Sequence, residues 1–116
     1  MKILIVLNDA PYGSERSYNG LRLAGSLVKR EGVEVKIFLV GDAAGCAKSG
    51  QTVPPGYYNV ESMLSVVLTR GGTVGVCGSC MDARGIAETE LVRGARKSSL
   101  EEWGSWTVET DKVLTF

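Results

Sequence analysis

Apolar residues fall along this chain in two alternating rhythms, short unbroken runs and helix-spaced stripes, and that alternation predicts an α/β fold. Lys2 to Leu7 is a continuous β-branched and leucine run closed by Asn8, Asp9, Pro11 and Gly13, the pattern of a strand buried on both faces. Ser14 and Glu15 then open a helix in which Tyr18, Leu21, Ala24, Gly25 and Val28 share one face, and Gly32 stops it. Val33 to Val40 reads as a second strand ending at Gly41-Asp42, so the chain opens as strand, helix and strand with a parallel crossover. Gly41 to Tyr58 holds too many glycines and prolines for a long regular element and is expected to be a loop, with room for one turn at Ala43 to Lys48.

Beyond that loop the helical rhythm returns. Asn59 is placed to cap a helix in which Val60, Met63, Leu64, Val67 and Leu68 recur at helical spacing up to Gly71-Gly72. Thr73 to Val76 is a short third strand that delivers the chain to Cys77-Gly78-Ser79-Cys80, and helical composition resumes from Met81 to about Glu90. Ser98 and Ser99 stand in capping-box register with Glu101 and Glu102, predicting a last helix with Leu100, Trp103 and Thr107 facing inward, and Lys112 to Phe116 closes the chain as a strand. No internal repeat, linker or low-complexity tail interrupts the pattern.

Composition narrows what such a chain can do. With 116 residues, 44% of them apolar, residues 1–116 are expected to form a single domain with an ordinary core. The 13 basic and 13 acidic residues cancel, so no field of net charge favours nucleic acid or an acidic membrane surface. The apolar runs are far shorter than the roughly 18 residues that cross a bilayer, and the first residues lack a signal-peptide pattern, so a cytoplasmic, unprocessed protein is expected. Histidine is absent, which excludes a Cys-His dyad, a Ser-His-Asp triad and a histidine metal site. Three cysteines in such a chain are expected to be reduced thiols.

In parallel sheets, ligands gather beyond the carboxyl ends of the strands. Cys77 stands at such an end, where a following helix offers free N–H groups that favour thiolate, and Arg84 is near enough in sequence to add charge. The alternative is a small buried hydrophobe at a strand end. Cys77 and Cys80 together spell C-x-x-C, the pattern of a dithiol switch or of half a zinc site; the latter would need two more ligands, and only Cys46 and carboxylates remain. No metal or cofactor is expected. Asp82 and Arg84 either pair with each other or cap the helix. Tyr12 and Gly13, in the first loop, can offer a hydroxyl and N–H groups to an anion or persulfide, or can simply form a turn. Trp103 and Trp106 are read as core or subunit interface rather than a stacking platform.

The run Val76-Cys77-Gly78-Ser79-Cys80-Met81-Asp82-Ala83-Arg84-Gly85-Ile86, with Ala10 to Glu15 before it and Asp111 to Phe116 after it, resembles the DsrE/DsrF-like family of sulfur-relay proteins, which includes TusD-like members. The resemblance spans essentially the whole chain. It implies a flavodoxin-like three-layer sandwich around a mainly parallel central sheet, assembly as homotrimers or homohexamers, and a cysteine that carries sulfane sulfur between donor and acceptor proteins. Cys77 matches the sulfur-carrying position and Arg84-Gly85 the Arg-Gly that follows it. Cys80 has no counterpart in TusD-like members, and its motif resembles a stand-alone subgroup, so tRNA thiolation through partner subunits is not carried over. The candidate site is therefore Cys77, Cys80 and Arg84 as reacting groups, with Tyr12, Gly13, Gly78, Asp82 and Gly85 as ligand contacts. A sulfur carrier, a non-catalytic oligomeric binding module and a dithiol redox protein all remain open on these residues.

Overall fold

A computed structural model describes residues 1–116. Five strands, β1 (Lys2–Leu7), β2 (Glu34–Leu39), β3 (Thr73–Cys77), β4 (Arg96–Ser98) and β5 (Lys112–Thr115), form one sheet in the order β4-β3-β2-β1-β5. Every pairing is parallel, as the crossover reading requires. Helices α1 (Arg16–Leu27), α2 (Val60–Thr69), α3 (Gly78–Ala83) and α4 (Leu100–Glu109) flank the sheet, giving the expected α/β architecture. The last strand, rather than the second, is the outer neighbour of β1.

The alternation of side chains along each strand divides the interior in two. Ile3, Ile5, Leu7, Val35, Ile37, Leu39, Val74 and Val76 point to one face and join Leu21 and Ala24 of α1, Val60, Leu64 and Val67 of α2, and Met81 of α3 in a cluster of 20 buried residues. Leu4, Val6 and Phe38 point to the other and join Trp106 of α4 in a cluster of 4, with the half-buried Trp103 packed against it. The first three connections step the same way across the sheet, and the connection through α4 runs back past all of them to β5. Because parallel crossovers keep one hand, that reversal puts α4 alone on its side.

The caps formed as the sequence implied. Asn59 Oδ1 accepts from the Ser62 N–H at 3.0 Å, and Ser99 Oγ accepts from the Glu102 N–H at 3.2 Å. Residues 41–47 of the long loop wind into a 3-10 helix whose Ala43, Ala44, Cys46 and Ala47 are buried. Three expectations are corrected. The helix after Cys77 begins at Gly78 and ends at Ala83 rather than Glu90, because Gly85 takes a left-handed backbone with φ of 65° and turns the chain away. Strand β4 is additional, and its residues Arg96, Lys97 and Ser98 bury no apolar side chain that could have announced it. On α4 Trp103 packs half-buried against the core as expected and Trp106, 5% exposed, lies deeper, whereas Leu100 is 72% exposed and Thr107 is also exposed. That register is set by β3: a Cβ on Gly75 would lie 2.9 Å from the Trp106 ring, so only glycine leaves room for the indole on the sheet.

Candidate active site

Cys77 is the last residue of β3 and the N-cap residue of α3. The chain leaves β3 into α3 on the well-packed face, and it leaves the neighbouring β4 into α4 on the opposite face. Adjacent strands whose connections part in this way open a crevice at their carboxyl ends. A cleft of about 520 Å³ lies there, walled by Cys77, Gly78, Ser79, Cys80 and Asp82 on one side and by Lys97, Ser98, Ser99, Leu100 and Trp103 on the other, with Phe38 and Val40 at its base. Phe38 and Trp103 stack at 4.8 Å between ring centroids, which gives the cleft an apolar wall. Gly78 is needed for the cleft's shape, since a Cβ there would come within 2.9 Å of both the Lys97 side chain and the Ser98 carbonyl.

The two cleft cysteines are pushed in opposite directions. Burial raises the Cys77 thiol, but hydrogen bonds from the Cys80 thiol, the Ser79 hydroxyl and the N–H groups of Cys80 and Ser79 outweigh it, leaving Cys77 below the ordinary thiol value. Its sulfur lies 3.4 Å from Ser79 Oγ. Cys80 is raised by its own burial and by the neighbouring Cys77, against the Gly41 N–H and Arg84. Gly41 donates its N–H to Cys80 Sγ at 3.1 Å. The arrangement is a thiol shifted toward thiolate beside one shifted away from it, both facing one crevice.

Arg84 serves this pair from behind. Its Nε and Nη2 donate to Asp42 Oδ1 at 3.1 and 2.8 Å, and its Nη1 donates to the Cys80 carbonyl at 3.1 Å. Its charge therefore bears on Cys80, and Asp82 does not pair with it. Asp82 is bound instead by Lys97 across the mouth of the cleft, at 3.0 Å. Gly85 forms the turn after α3. Sequence reasoning missed Lys97, Ser98 and Trp103 as cleft residues; β4 carries no hydrophobic rhythm, and without it the crevice has no second wall.

Tyr12 and Gly13 lie elsewhere. The Tyr12 hydroxyl donates to Gln51 Oε1 at 2.6 Å and accepts from the Val60 N–H at 3.1 Å, pinning the long loop to the start of α2. Its ring stacks on Tyr58, which stacks in turn on Tyr18. The Tyr12 and Tyr58 rings border a separate hollow of about 430 Å³ with Val53, Pro54 and Tyr57. Gly13 takes a φ of 107° in the turn beside Tyr12. Cys46 also stays out of the cleft: it is wholly buried, its thiol donates to the Asp9 carbonyl at 3.7 Å, and burial pushes its pKa up to about 12. No group of three or more His, Cys, Asp or Glu side chains is gathered to hold a metal ion.

The family model described as DsrE/DsrF-like matches residues 1–116. This chain belongs to the DsrE/DsrF-like family. Protein YchN of Escherichia coli K12 is 41% identical over 116 residues, covering 99% of this chain and 98% of its own. An uncharacterized protein of Methanocaldococcus jannaschii, MJ0989, is 37% identical over the full length of both chains. The crystal structure of the E. coli YchN protein superposes with a TM-score of 0.93 over 99% of this chain and 98% of its own. The protein of unknown function MTH1491 from Methanobacterium thermoautotrophicum shares the fold at a TM-score of 0.79 with only 10% identity, covering 99% of this chain and 98% of its own. Within the DsrE/DsrF-like fold as this chain builds it, the crevice at the end of β3 is where Cys77 and Cys80 stand together. No helix is long and apolar enough to cross a membrane.

Proposed function

We propose that this DsrE/DsrF-like protein takes part in sulfur relay, accepting sulfane sulfur as a persulfide on Cys77 and passing it to an acceptor thiol. The observation that carries this reading is the placement of Cys77: a thiol lowered by four hydrogen bonds, opening onto the crevice between α3 and α4. Persulfide transfer needs a nucleophilic thiolate, a pocket to hold the extra sulfur and access for a partner thiol, and it needs no histidine. The apolar Phe38–Trp103 wall suits a polarizable sulfur atom, while the Lys97–Asp82 pair stands where a partner would approach.

The relay works in the cytoplasm, where a carrier thiol stays reduced between transfers. The chain assembles with copies of itself as a trimer or hexamer, supported by Leu100, Gly104 and Val108, which form an outward stripe on α4 beside the exposed Val113 of β5. The test is intact mass spectrometry after exposure of the reduced protein to a cysteine desulfurase with cysteine. Gain of a sulfur atom in the wild type and its loss in Cys77→Ser are expected. A wild type that gains none, or a Cys77→Ser chain that gains as much, would remove Cys77 from the role.

A further inference from the structure

We propose that the protein is also a sulfane-sulfur reductase, in which Cys80 resolves the Cys77 persulfide and releases hydrogen sulfide. The proposal rests on the persulfide reading and deepens it. Its substrate class is any small or protein persulfide, R–S–SH, that can enter the crevice.

The geometry points to a second sulfur that is built, not incidental. Cys77 and Cys80 face the same cleft from the junction of β3 and α3, Cys77 as the N-cap residue and Cys80 in the first turn of the helix. Cys77 leaves the strand with a non-helical backbone as the N-cap residue of α3, and a disulfide to Cys80 one turn on requires their Cβ atoms at about 3.8 Å, a closure made by backbone adjustment at the start of this short helix. Cys80 has two anchors of its own from a distant part of the chain. Gly41 directs its N–H at Cys80 Sγ from the start of the 3-10 helix, and Asp42 beside it holds Arg84 against the Cys80 carbonyl. A cysteine that merely filled space would need neither an N–H aimed at its sulfur nor a guanidinium behind its backbone.

The steps balance. Cys77 thiolate attacks the outer sulfur of R–S–SH, forming Cys77–S–SH and releasing R–S⁻. Cys80 then attacks the inner sulfur: the Cys77–Cys80 bond forms, the inner–outer sulfur bond breaks, and the outer sulfur leaves as hydrogen sulfide with its own proton and the one from Cys80. The sulfane sulfur gains two electrons, and the cysteine pair loses two. An external dithiol restores both thiols by exchange. Order follows from the chemistry, because Cys80 has no persulfide to attack until Cys77 is loaded, and the neighbouring Cys77 raises the Cys80 thiol. Once Cys77 carries sulfur, that restraint moves outward, and the Gly41 N–H and Arg84 favour the Cys80 thiolate. Cys46 is sealed in the core and contributes no competing thiol.

The experiment uses the full chain, wild type and Cys80→Ser, reduced, loaded anaerobically with inorganic polysulfide, desalted, and followed by intact mass and by free sulfide. The wild type is expected to lose the added sulfur, finish two hydrogens lighter than the reduced chain and release one sulfide per chain. Cys80→Ser is expected to keep the sulfur until a dithiol is added. If both hold it equally long, the resolving role fails and the carrier reading stands. If neither gains sulfur, both fail. Should Cys80→Ser lose the wild-type circular dichroism, the wild-type arm decides alone: sulfide release without a Cys77–Cys80 disulfide in the peptide map overturns the inference.

Discussion

Cys77 and Cys80 share a crevice and have the same chemistry, yet their surroundings separate them. Donors converge on Cys77, whereas Cys80 has a thiolate for a neighbour. A lowered pKa enlarges the thiolate fraction at any given pH, and only thiolate alkylates. Iodoacetamide at neutral pH should therefore label Cys77 first, with the midpoint of its rate against pH below the ordinary thiol value of about 8.5. Cys46, pushed up to about 12 and fully buried, should stay unlabelled until the protein is denatured. Ser79→Ala should shift the Cys77 midpoint upward, because it removes one of the donors. Equal rates for Cys77 and Cys46 in the native protein would contradict the assignment. Cys77 as the candidate group was legible in the sequence, since a cysteine between a strand and a helix is readable from local pattern. Its electrostatic partners were not. Arg84 stood out by proximity in the chain, but its partner Asp42 comes from 42 residues away.

At the scale of elements, the strongest constraint on the cleft is a residue that has no side chain. Gly75 makes room for the edge of the Trp106 ring against the sheet, and Trp106 on α4 goes with the placement of Trp103 against Phe38. Gly75→Ala should cost about 1–3 kcal/mol through overpacking. A lower urea midpoint together with altered tryptophan fluorescence would show it, and an unchanged midpoint would mean that α4 is free to shift. Helices α1 and α2 and strands β1 to β3 were readable because each buries a face whose period appears in its residues. Strand β4 was not. It pairs only with β3 and is held by backbone bonds and by the clamp at its start, where Arg96 donates to both Glu102 carboxylate oxygens at 2.6 and 2.9 Å. A three-residue polar edge strand leaves no hydrophobic signature. The same gap hid the crevice, because the site lies between one element that could be read and one that could not.

The whole molecule leaves apolar surface that one domain does not cover. Val108 is 87% exposed and Leu100 is 72% exposed, two turns apart on the outer side of α4. If copies meet there, Val108→Asp should weaken association on the order of tenfold, a change of about 1.4 kcal/mol, read by sedimentation with circular dichroism unchanged. An assembly indifferent to that charge would place the contact on another face. The two sides of the sheet also differ in a way that bears on access to the thiols. One side is closed by 20 core residues and the other by 4. Helix α4 is consequently the cheapest part of the molecule to lift, and its amides should exchange with solvent before those of β1 to β3. A bulky partner would then be admitted as through a door: with α4 tilted about its ends at Ser99 and Thr110, the wall opposite Cys77 would move aside while the sheet that holds the cysteines stayed shut.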